Sequence, residues 1–307
     1  MSAFFFILFY VWHGLVERHH PRIVKLEYRA PDQSKVRENL YFVGKGVTYD
    51  TGGADIKAGG VMRAMSRDKC GAASVAGFLK TVSLLAPEHV NITAGLSFVR
   101  NSVGSNSYVS DEVILSRAGV RVLIGNTDAE GRLVMTDLLT EFKDAALAER
   151  EANSAPSILF TVATLTGHAL RAYGGYGIAL DTNVSARQLR VSRRIFDAGH
   201  VWGDPFEIST LRRDDMEAVA PGSTSEDVVQ ANDKPSSATM RGHQFPAGYL
   251  VIASGLDKHG SSAVPEQRVA YTHLDIAGSA ETLDGVGLSL PTVTGSPVPA
   301  LAGAFLL

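Results

Sequence analysis

Three charged residues alternate along the segment NTDAEGRLV, residues 126–134: Asp128, Glu130 and Arg132. Residues 120–124 before it are apolar except for Arg121 and predict a strand, and residues 133–148 after it predict a helix. Alternate side chains of an extended chain point the same way, so we expect these three to project together from the end of the strand. Grouped carboxylates repel one another unless cations hold them, which makes metal binding the first chemistry to consider.

Two more carboxylates stand at comparable positions. Asp50 ends a predicted strand in VTYDTGG, and Asp68 opens a predicted helix in SRDKCGAA. In open α/β sheets the ligand crevice lies beyond the carboxyl ends of the strands, so three chain segments could bring four acids together. Two divalent ions bridged by shared carboxylates would supply the compensating charge.

Two lysines flank Asp50. Lys45 precedes it by five residues and stands between two glycines, and Lys57 follows it by seven. A lysine beside a dication can lose its proton and become a ligand, or stay charged and polarise a substrate carbonyl. There is no HExxH or CxxC motif, and the nine histidines share no spacing, so a zinc site built on histidine or cysteine is not expected.

Each residue also has a simpler interpretation when it is taken alone. Asp68 could cap a helix, Asp50 could build a turn, and both lysines could be solvated surface charges. The charges within residues 128–132 could form a surface ion cluster that contributes little to stability. The residues expected only to pack in the interior are His168, His273 and Cys70.

Strands and helices alternate around these residues. Predicted strands cover residues 40–50, 91–99, 121–125, 157–165, 177–182 and 271–278, and predicted helices cover 68–86, 111–118, 133–149, 184–198 and 246–257. Residues 13–38 show no clear period, and 221–244 are predicted to form a long functional loop. This alternation predicts an α/β fold with a mixed, largely parallel sheet flanked by helices on both faces.

The composition is that of a globular protein. Of 307 residues 45% are apolar and 20% are charged, and a net charge of −3 without a long basic run argues against nucleic-acid binding. A single cysteine excludes an intrachain disulfide and fits a reducing compartment, so we expect a cytoplasmic location. Residues 3–12, AFFFILFYVW, are too few to span a bilayer and lack two features of a secretory signal, so neither membrane insertion nor secretion is expected.

Five segments, taken together and in order, resemble the leucyl aminopeptidases, which are hexameric exopeptidases with two zinc ions. The segments are VGKGVTYDTGG, IKAGGVMRAMSRDKCGAA, NTDAEGRLV, ATLTG and HLDIAG. The resemblance covers about residues 41–307, the family's catalytic domain, and NTDAEGR is complete and specific. It implies a metallo-aminopeptidase catalytic domain at residues 40–307, preceded by an N-terminal remnant without clear fold at residues 1–39.

The resemblance also implies a set of metal ligands. Asp50 and Glu130 would bridge two divalent ions. Lys45 and Asp68 would complete the tighter site, and Asp128 would complete the more exchangeable one. Zinc is the expected metal, with manganese or magnesium as alternatives at the exchangeable site.

The remaining roles concern the substrate. The resemblance implies that Lys57 holds the scissile carbonyl oxygen and that Arg132 anchors a bicarbonate ion, which serves as general base. The pocket for the first side chain of the peptide is expected to include Met65, Thr164 and Gly167.

The sequence therefore predicts a metal-dependent aminopeptidase that acts on peptides, assembles with its own copies as a homohexamer, and binds neither nucleic acid nor membranes. One alternative is a catalytically silent structural relative that keeps the fold and the hexamer, and loss of metal ligands would mark it. Another is a DNA-binding module, which the net charge does not favour.

Overall fold

The computed structural model describes residues 17–152, 154–282 and 292–307. Its strands are β1 (Arg22–Tyr28), β2 (Glu38–Asp50), β3 (Val90–Asn101), β4 (Val113–Leu115), β5 (Arg121–Leu123), β6 (Ser157–Ala163), β7 (Gly177–Asp181), β8 (Phe206–Thr210), β9 (Val228–Val229), β10 (Ala270–Asp275), β11 (Glu281–Thr282) and β12 (Thr292–Val293). Its helices are α1 (Cys70–Leu85), α2 (Glu130–Ala152), α3 (Gly167–Tyr173), α4 (Val184–Gln188), α5 (Val191–Trp202), α6 (Arg213–Glu217), α7 (Phe245–Ala253) and α8 (Val298–Phe305).

None of the helices in these ranges combines the length and the apolar character that crossing a membrane requires. The expectation for the apolar segment at residues 3–12 lies outside the described residues.

A seven-stranded sheet forms the centre of the fold, in the order β1-β3-β2-β6-β10-β7-β8. The neighbours from β3 to β10 are parallel to one another, whereas β1 is antiparallel to β3 and β7 is antiparallel to β10. At the far edge β8 runs parallel to β7. The predicted α/β fold with a mixed, largely parallel sheet is confirmed.

Helices cover both faces of the sheet and enclose two large apolar cores, and a smaller cluster contains Leu180, Leu211 and Ala247. Side chains alternate along β2: Phe42 stacks on Phe160 with ring centroids 4.5 Å apart and packs towards α1, whereas Tyr41 packs on Phe142 of α2. Every residue of β6 is buried, as expected of a strand with helices on both faces.

Small residues let α1 approach the sheet closely. A Cβ atom at Gly71 would lie 2.1 Å from the carbonyl oxygen of Val162 in β6, and one at Gly44 in β2 would lie 2.7 Å from Cα of Ala72. The glycines therefore set the distance between helix and sheet. This contact holds the start of α1, and Asp68 just before it, against the middle of β2 and the end of β6.

Two predicted helices are wrong. Residues 111–118 contain strand β4, because Asp111 adopts a left-handed conformation (φ 72°) and the β-branched residues after it pair with β5. The helix predicted at 184–198 is split into α4 and α5 by Arg190, which is also left-handed (φ 53°) and breaks the helical hydrogen bonding. The other predicted elements lie within a few residues of their expected bounds.

The unpredicted helices and strands of the described chain are β1, β8, α3, α6 and α8, together with the two-residue strands β9, β11 and β12. Strand β1 pairs with β3 along its whole length, yet its residues are only partly buried or exposed, so it lacks the alternation that reveals a strand. The N-terminal part of the described chain thus contributes to the sheet. The division of the chain at residue 40 stays a prediction.

Candidate active site

Three buried carboxylates meet beyond the carboxyl end of β2. Asp50 is the last residue of β2, Asp68 follows a short 3-10 turn, and Glu130 begins α2. One oxygen from each side chain lies within 4.8 Å of the others, and the three residues are 3%, 6% and 1% exposed. Carboxylates this close and this buried favour a cation between them.

The start of a helix, and not an extended chain, positions the acids of NTDAEGR. Residues Thr127–Ala129 form a 3-10 turn and α2 begins at Glu130, so the extended conformation expected for residues 128–132 is wrong. Residues two positions apart point to nearly opposite sides of a helix, about 200° apart. Glu130 therefore faces the carboxylates, whereas Arg132 faces the segment that carries Gln230.

Lys45 is buried against this cluster. Its Nζ lies 2.7 Å from Oδ1 of Asp68 and 3.0 Å from Oε1 of Glu130, and it donates to the carbonyl oxygen of Thr164 at 2.9 Å. Its stem lies on Gly131, where a Cβ atom would come within 2.5 Å of Cε. Burial lowers the pKa of Lys45, but the nearby carboxylates outweigh burial and hold the pKa above its usual value.

Lys57 links Asp128 to the cluster. Its Nζ lies 3.1 Å from Oδ2 of Asp50 and 2.5 Å from Oδ1 of Asp128, and its side chain is 15% exposed. Burial lowers the pKa of Lys57, and the charges of Asp50 and Asp128 raise it by more, so the amine stays protonated. A cationic amine is thereby presented at the edge of the carboxylate cluster.

The acids themselves are shifted towards the protonated form. Burial, followed by the charge of Asp50, raises the pKa of Glu130 well above its usual value and that of Asp128 to about 6. Burial also raises the pKa of Asp68, whose Oδ2 accepts no hydrogen bond from the described residues. A divalent cation would relieve this excess of negative charge. The carboxylate oxygens fit such an ion, and so would the Lys45 nitrogen once the incoming ion displaces its proton.

An uncharged residue that the sequence analysis missed, Asn101, orients Asp50. Its Nδ2 donates to Oδ1 of Asp50 at 2.8 Å and to the carbonyl oxygen of Thr127 at 3.0 Å. The backbone N–H of Gly52 donates to the same Asp50 oxygen at 2.9 Å, so Asp50 also builds the turn that was its simpler interpretation. Asn101 ends β3 beside the end of β2, and that shared sheet edge is the signal that could have identified it.

Arg132 is buried on the other side of the first turn of α2. Its Nη1 donates to the carbonyl oxygen of Gln230 at 2.9 Å, and its guanidinium lies 4.9 Å from the ring centroid of Phe245. The Gln230 side chain donates to the carbonyl oxygens of Asn126 and Ala129, each at 2.8 Å. Burial lowers the pKa of Arg132 to about 10, so the group stays cationic at neutral pH, and its Nε has no hydrogen-bond partner among the described residues.

The charged residues of the site line one cleft of about 290 Å³, together with Met65, Thr164 and Gly167. The structure therefore brings all of the predicted site residues to the same cleft. Thr164 Oγ1 donates to Oδ1 of Asp68 at 2.8 Å. The predicted loop at 221–244 contributes Ala231–Ser236 to the lining in part, and no histidine or cysteine of the described chain lines the cleft.

The structure contradicts the simpler interpretations of Asp68 and of the two lysines and supports that of His273. Asp68 does not cap α1, since the residue before that helix is Lys69 and no side-chain cap bond is present. Neither Lys45 nor Lys57 is a solvated surface charge. His273 is a core residue as expected, buried and hydrogen-bonded through Nδ1 to Oγ1 of Thr161 at 2.7 Å.

Residues 6–302 match the catalytic domain of the cytosol aminopeptidase family. A Caenorhabditis elegans protein that carries the name aminopeptidase is 43% identical over 279 residues, which are 91% of this chain and 52% of that protein. A Campylobacter jejuni protein named as a cytosol aminopeptidase is 32% identical over 275 residues, 88% of this chain and 50% of that protein. The chain thus spans about half the length of the curated relatives it matches.

A solved structure shares the fold of this chain. The bottromycin maturation enzyme BotP, in complex with Mn, aligns with a TM-score of 0.76 at 25% sequence identity. The alignment covers 97% of this chain and 58% of that one.

Proposed function

Since the chain belongs to the cytosol aminopeptidase family, we propose that it removes the N-terminal residue from peptides with two divalent metal ions in its cleft. The observation that carries the proposal is the buried cluster of Asp50, Asp68 and Glu130, whose carboxylates approach within 4.8 Å. A structural relative without activity would be expected to have lost some of these side chains, and they are all present.

We assign the ligands as the family resemblance implies. Asp50 and Glu130 would be shared by the two ions, Lys45 and Asp68 would complete the tighter site, and Asp128 would complete the exchangeable one. When bound, two dications lower the pKa of a shared water molecule and polarise a carbonyl group. Zinc is the first candidate, and the complex of BotP with Mn makes manganese the natural alternative to test, with magnesium as a third.

Lys57 would act on the substrate. Its ammonium group lies at the edge of the carboxylate cluster and stays protonated beside Asp50 and Asp128. We propose that it donates to the carbonyl oxygen of the scissile bond and stabilises the negative charge that develops there, as preorganised donors do in other hydrolases.

Arg132 would hold the general base. Its guanidinium is buried, remains charged at neutral pH, and keeps Nε without a partner among the described residues. These properties suit a small anion, and we propose bicarbonate, which would take the proton of the attacking water. The carbonyl oxygen of Gln230 supports this role because it accepts a hydrogen bond from Nη1 and so fixes the position of the guanidinium.

The first side chain of the peptide would lie against Met65, Thr164 and Gly167. Assembly as a homohexamer and a cytoplasmic location are further parts of the proposal, and the names of the relatives support the location. The chain covers only part of those relatives, so each of these properties is proposed for this chain by itself.

A direct experiment tests the proposed activity. The purified chain is stripped with a chelator, reloaded with zinc or manganese, and assayed with leucine amide and with its N-acetyl derivative. We expect two ions per chain and hydrolysis of the free-amine substrate alone. Failure to hydrolyse leucine amide with either metal, or binding of a single ion, would contradict the proposal.

A further inference from the structure

An ion pair on the wall of the cleft lies outside the metal cluster. Nη1 of Arg67 contacts Oε2 of Glu281, and both residues line the cleft. Their side chains are 33% and 23% exposed, so the two charges are partly removed from water. Neither group is needed for the metal sites or for the oxyanion as assigned above.

The pair stands beside the apolar part of the cleft. Arg67 lies two residues after Met65 in the same 3-10 turn, and Glu281 directly follows Ala280 at the start of β11. Met65, Leu170 and Ala280 line the same cleft. The ion pair is thus a charged feature next to the surface assigned to the first side chain of the peptide.

Each member of the pair is held by its own backbone contacts. Glu281 pairs with Val293 between β11 and β12, and Ala280 before it donates to the carbonyl oxygen of Ile276 at 2.8 Å. The backbone N–H of Arg67 donates to the carbonyl oxygen of Ala64 at 3.1 Å. Because these anchors are separate, removing one side chain leaves the other charge beside the cleft.

We propose that the Arg67–Glu281 pair selects the first residue of the substrate by charge. With both groups present, each charge is neutralised by its partner, so a charged first side chain would leave water without gaining an unpaired opposite charge, and the cleft takes peptides whose first side chain is uncharged. Removing Arg67 leaves a carboxylate that can bind lysine or arginine, and removing Glu281 leaves a guanidinium that can bind aspartate or glutamate. This inference rests on the proposed aminopeptidase function.

The size of the effect follows from the energy of a hydrogen bond to a charged group. Such a bond contributes about 1.5–3 kcal/mol, which corresponds to a change of roughly 10- to 100-fold in a ratio of rates. The relevant readout is therefore a ratio of kcat/KM values between two substrates and not the rate with one of them.

The test compares Arg67→Gln and Glu281→Gln with the parent, all loaded with the same metal, on the amides of leucine, lysine and glutamate. Arg67→Gln should raise the lysine-to-leucine ratio of kcat/KM about tenfold or more, and Glu281→Gln should raise the glutamate-to-leucine ratio. The control is Arg193→Gln, which breaks the exposed pair between Arg193 and Asp197 on α5 and should leave both ratios as in the parent. Arg67→Ala and Glu281→Ala make the same charge changes with different side chains, should a glutamine variant fold poorly.

A binding measurement separates this inference from the proposed function. Calorimetry gives the affinities of leucine, lysine and glutamate hydroxamates for the same metal-loaded variants. If the parent hydrolyses no amide but the affinities shift with charge as expected, the proposed activity is wrong and the role of the pair stands. If amides are hydrolysed while the rate ratios and the affinities stay within twofold of the parent in all four variants, the role of the pair is overturned and the activity stands.

Discussion

Asn101 donates a hydrogen bond to Asp50 at 2.8 Å, and so connects the ends of strands β3 and β2. The same Nδ2 reaches the carbonyl oxygen of Thr127, just before the acids of NTDAEGR. A neutral amide thus fixes the position of a carboxylate that we propose as a bridging ligand.

Replacing Asn101 with alanine should weaken metal binding. Residues that orient a ligand typically change metal affinity or activity by about 10- to 100-fold, and we expect a loss of that size for Asn101→Ala. Competition with a chromophoric chelator measures it. The matched control is Asn91→Ala, since Asn91 is also buried and donates to side chains, Gln33 at 2.9 Å and Asn39 at 3.0 Å, away from the cleft. Equal metal affinities for the two variants would remove Asn101 from the site.

Alanine substitutions of Lys57 and Asp50 should differ in their effects on bound metal. Loss of one oxyanion donor typically lowers kcat by about 10²–10³, so Lys57→Ala should keep both ions and lose activity on that scale. Asp50→Ala removes a bridging ligand and should lose metal as well as activity, because the remaining acids repel one another. Bound metal and turnover are measured side by side, and turnover like the parent in Lys57→Ala or two retained ions in Asp50→Ala would show that the assigned roles are wrong.

Gly71→Ala should destabilise the fold, since its new Cβ would lie 2.1 Å from the carbonyl oxygen of Val162, a backbone atom that cannot move freely. Overpacking of this kind typically costs about 1–3 kcal/mol in the free energy of unfolding. Gly295→Ala is the control, because a Cβ there meets no atom of the described residues within 4 Å. Urea unfolding of both variants gives the comparison, and a Gly71→Ala variant as stable as the control would show that α1 can shift without cost.

His273 should make stability depend on pH. Burial, followed by the charges of His243 and Arg132, lowers the pKa of His273 to about 3, against 6.5 for an unperturbed histidine. Between these values the unfolded chain binds a proton that the folded protein does not, so stability is lost as the pH falls below about 6.5.

The variant His273→Gln lacks this titration. From pH 6 to pH 5 the parent should lose about 1.2 kcal/mol more stability than the variant, because the unfolded histidine carries nearly one proton over this pH range. Urea unfolding of the chelator-treated proteins at several pH values measures the two slopes. Parallel slopes would mean that His273 is protonated in the folded state.

The family resemblance also predicts a hexamer with the catalytic domains at its centre. Light scattering on the purified chain should therefore report a large oligomer at concentrations where the chain is active. A stable monomer with full activity would contradict the predicted assembly.

Charged residues at strand ends could be found from the sequence because their types and positions are both informative. Asp50 ends a strand, and Asp68 precedes a helix rich in small residues. Such positions lie close together because the ligand crevice of an open α/β sheet is beyond the carboxyl ends of its strands. The alternation of apolar strands and helices in the sequence predicted the mixed sheet. The strands are apolar because helices bury both of their faces, as in β6.

Other features depend on contacts that local pattern does not report. Asn101 and Gln230 are uncharged, and Gln230 meets Arg132 across 98 positions of sequence, so neither stands out in the chain alone. The geometry of NTDAEGR was misjudged because α2 begins earlier, at Glu130, and not at Leu133. Strand β1 was missed because it lies at the sheet edge, where partial exposure of both faces removes the alternating pattern.

The wall of the cleft consists of segments that are far apart in the chain, so the ribosome synthesises them at different times. All the proposed metal ligands have been translated once Glu130 is added, but β6 and the Thr164 carbonyl that binds Lys45 come later. The segment that holds Arg132 and the strand β10 beside β6 come later still. A nascent chain therefore carries the ligands long before it can bury them, and metal loading should follow the synthesis of β10.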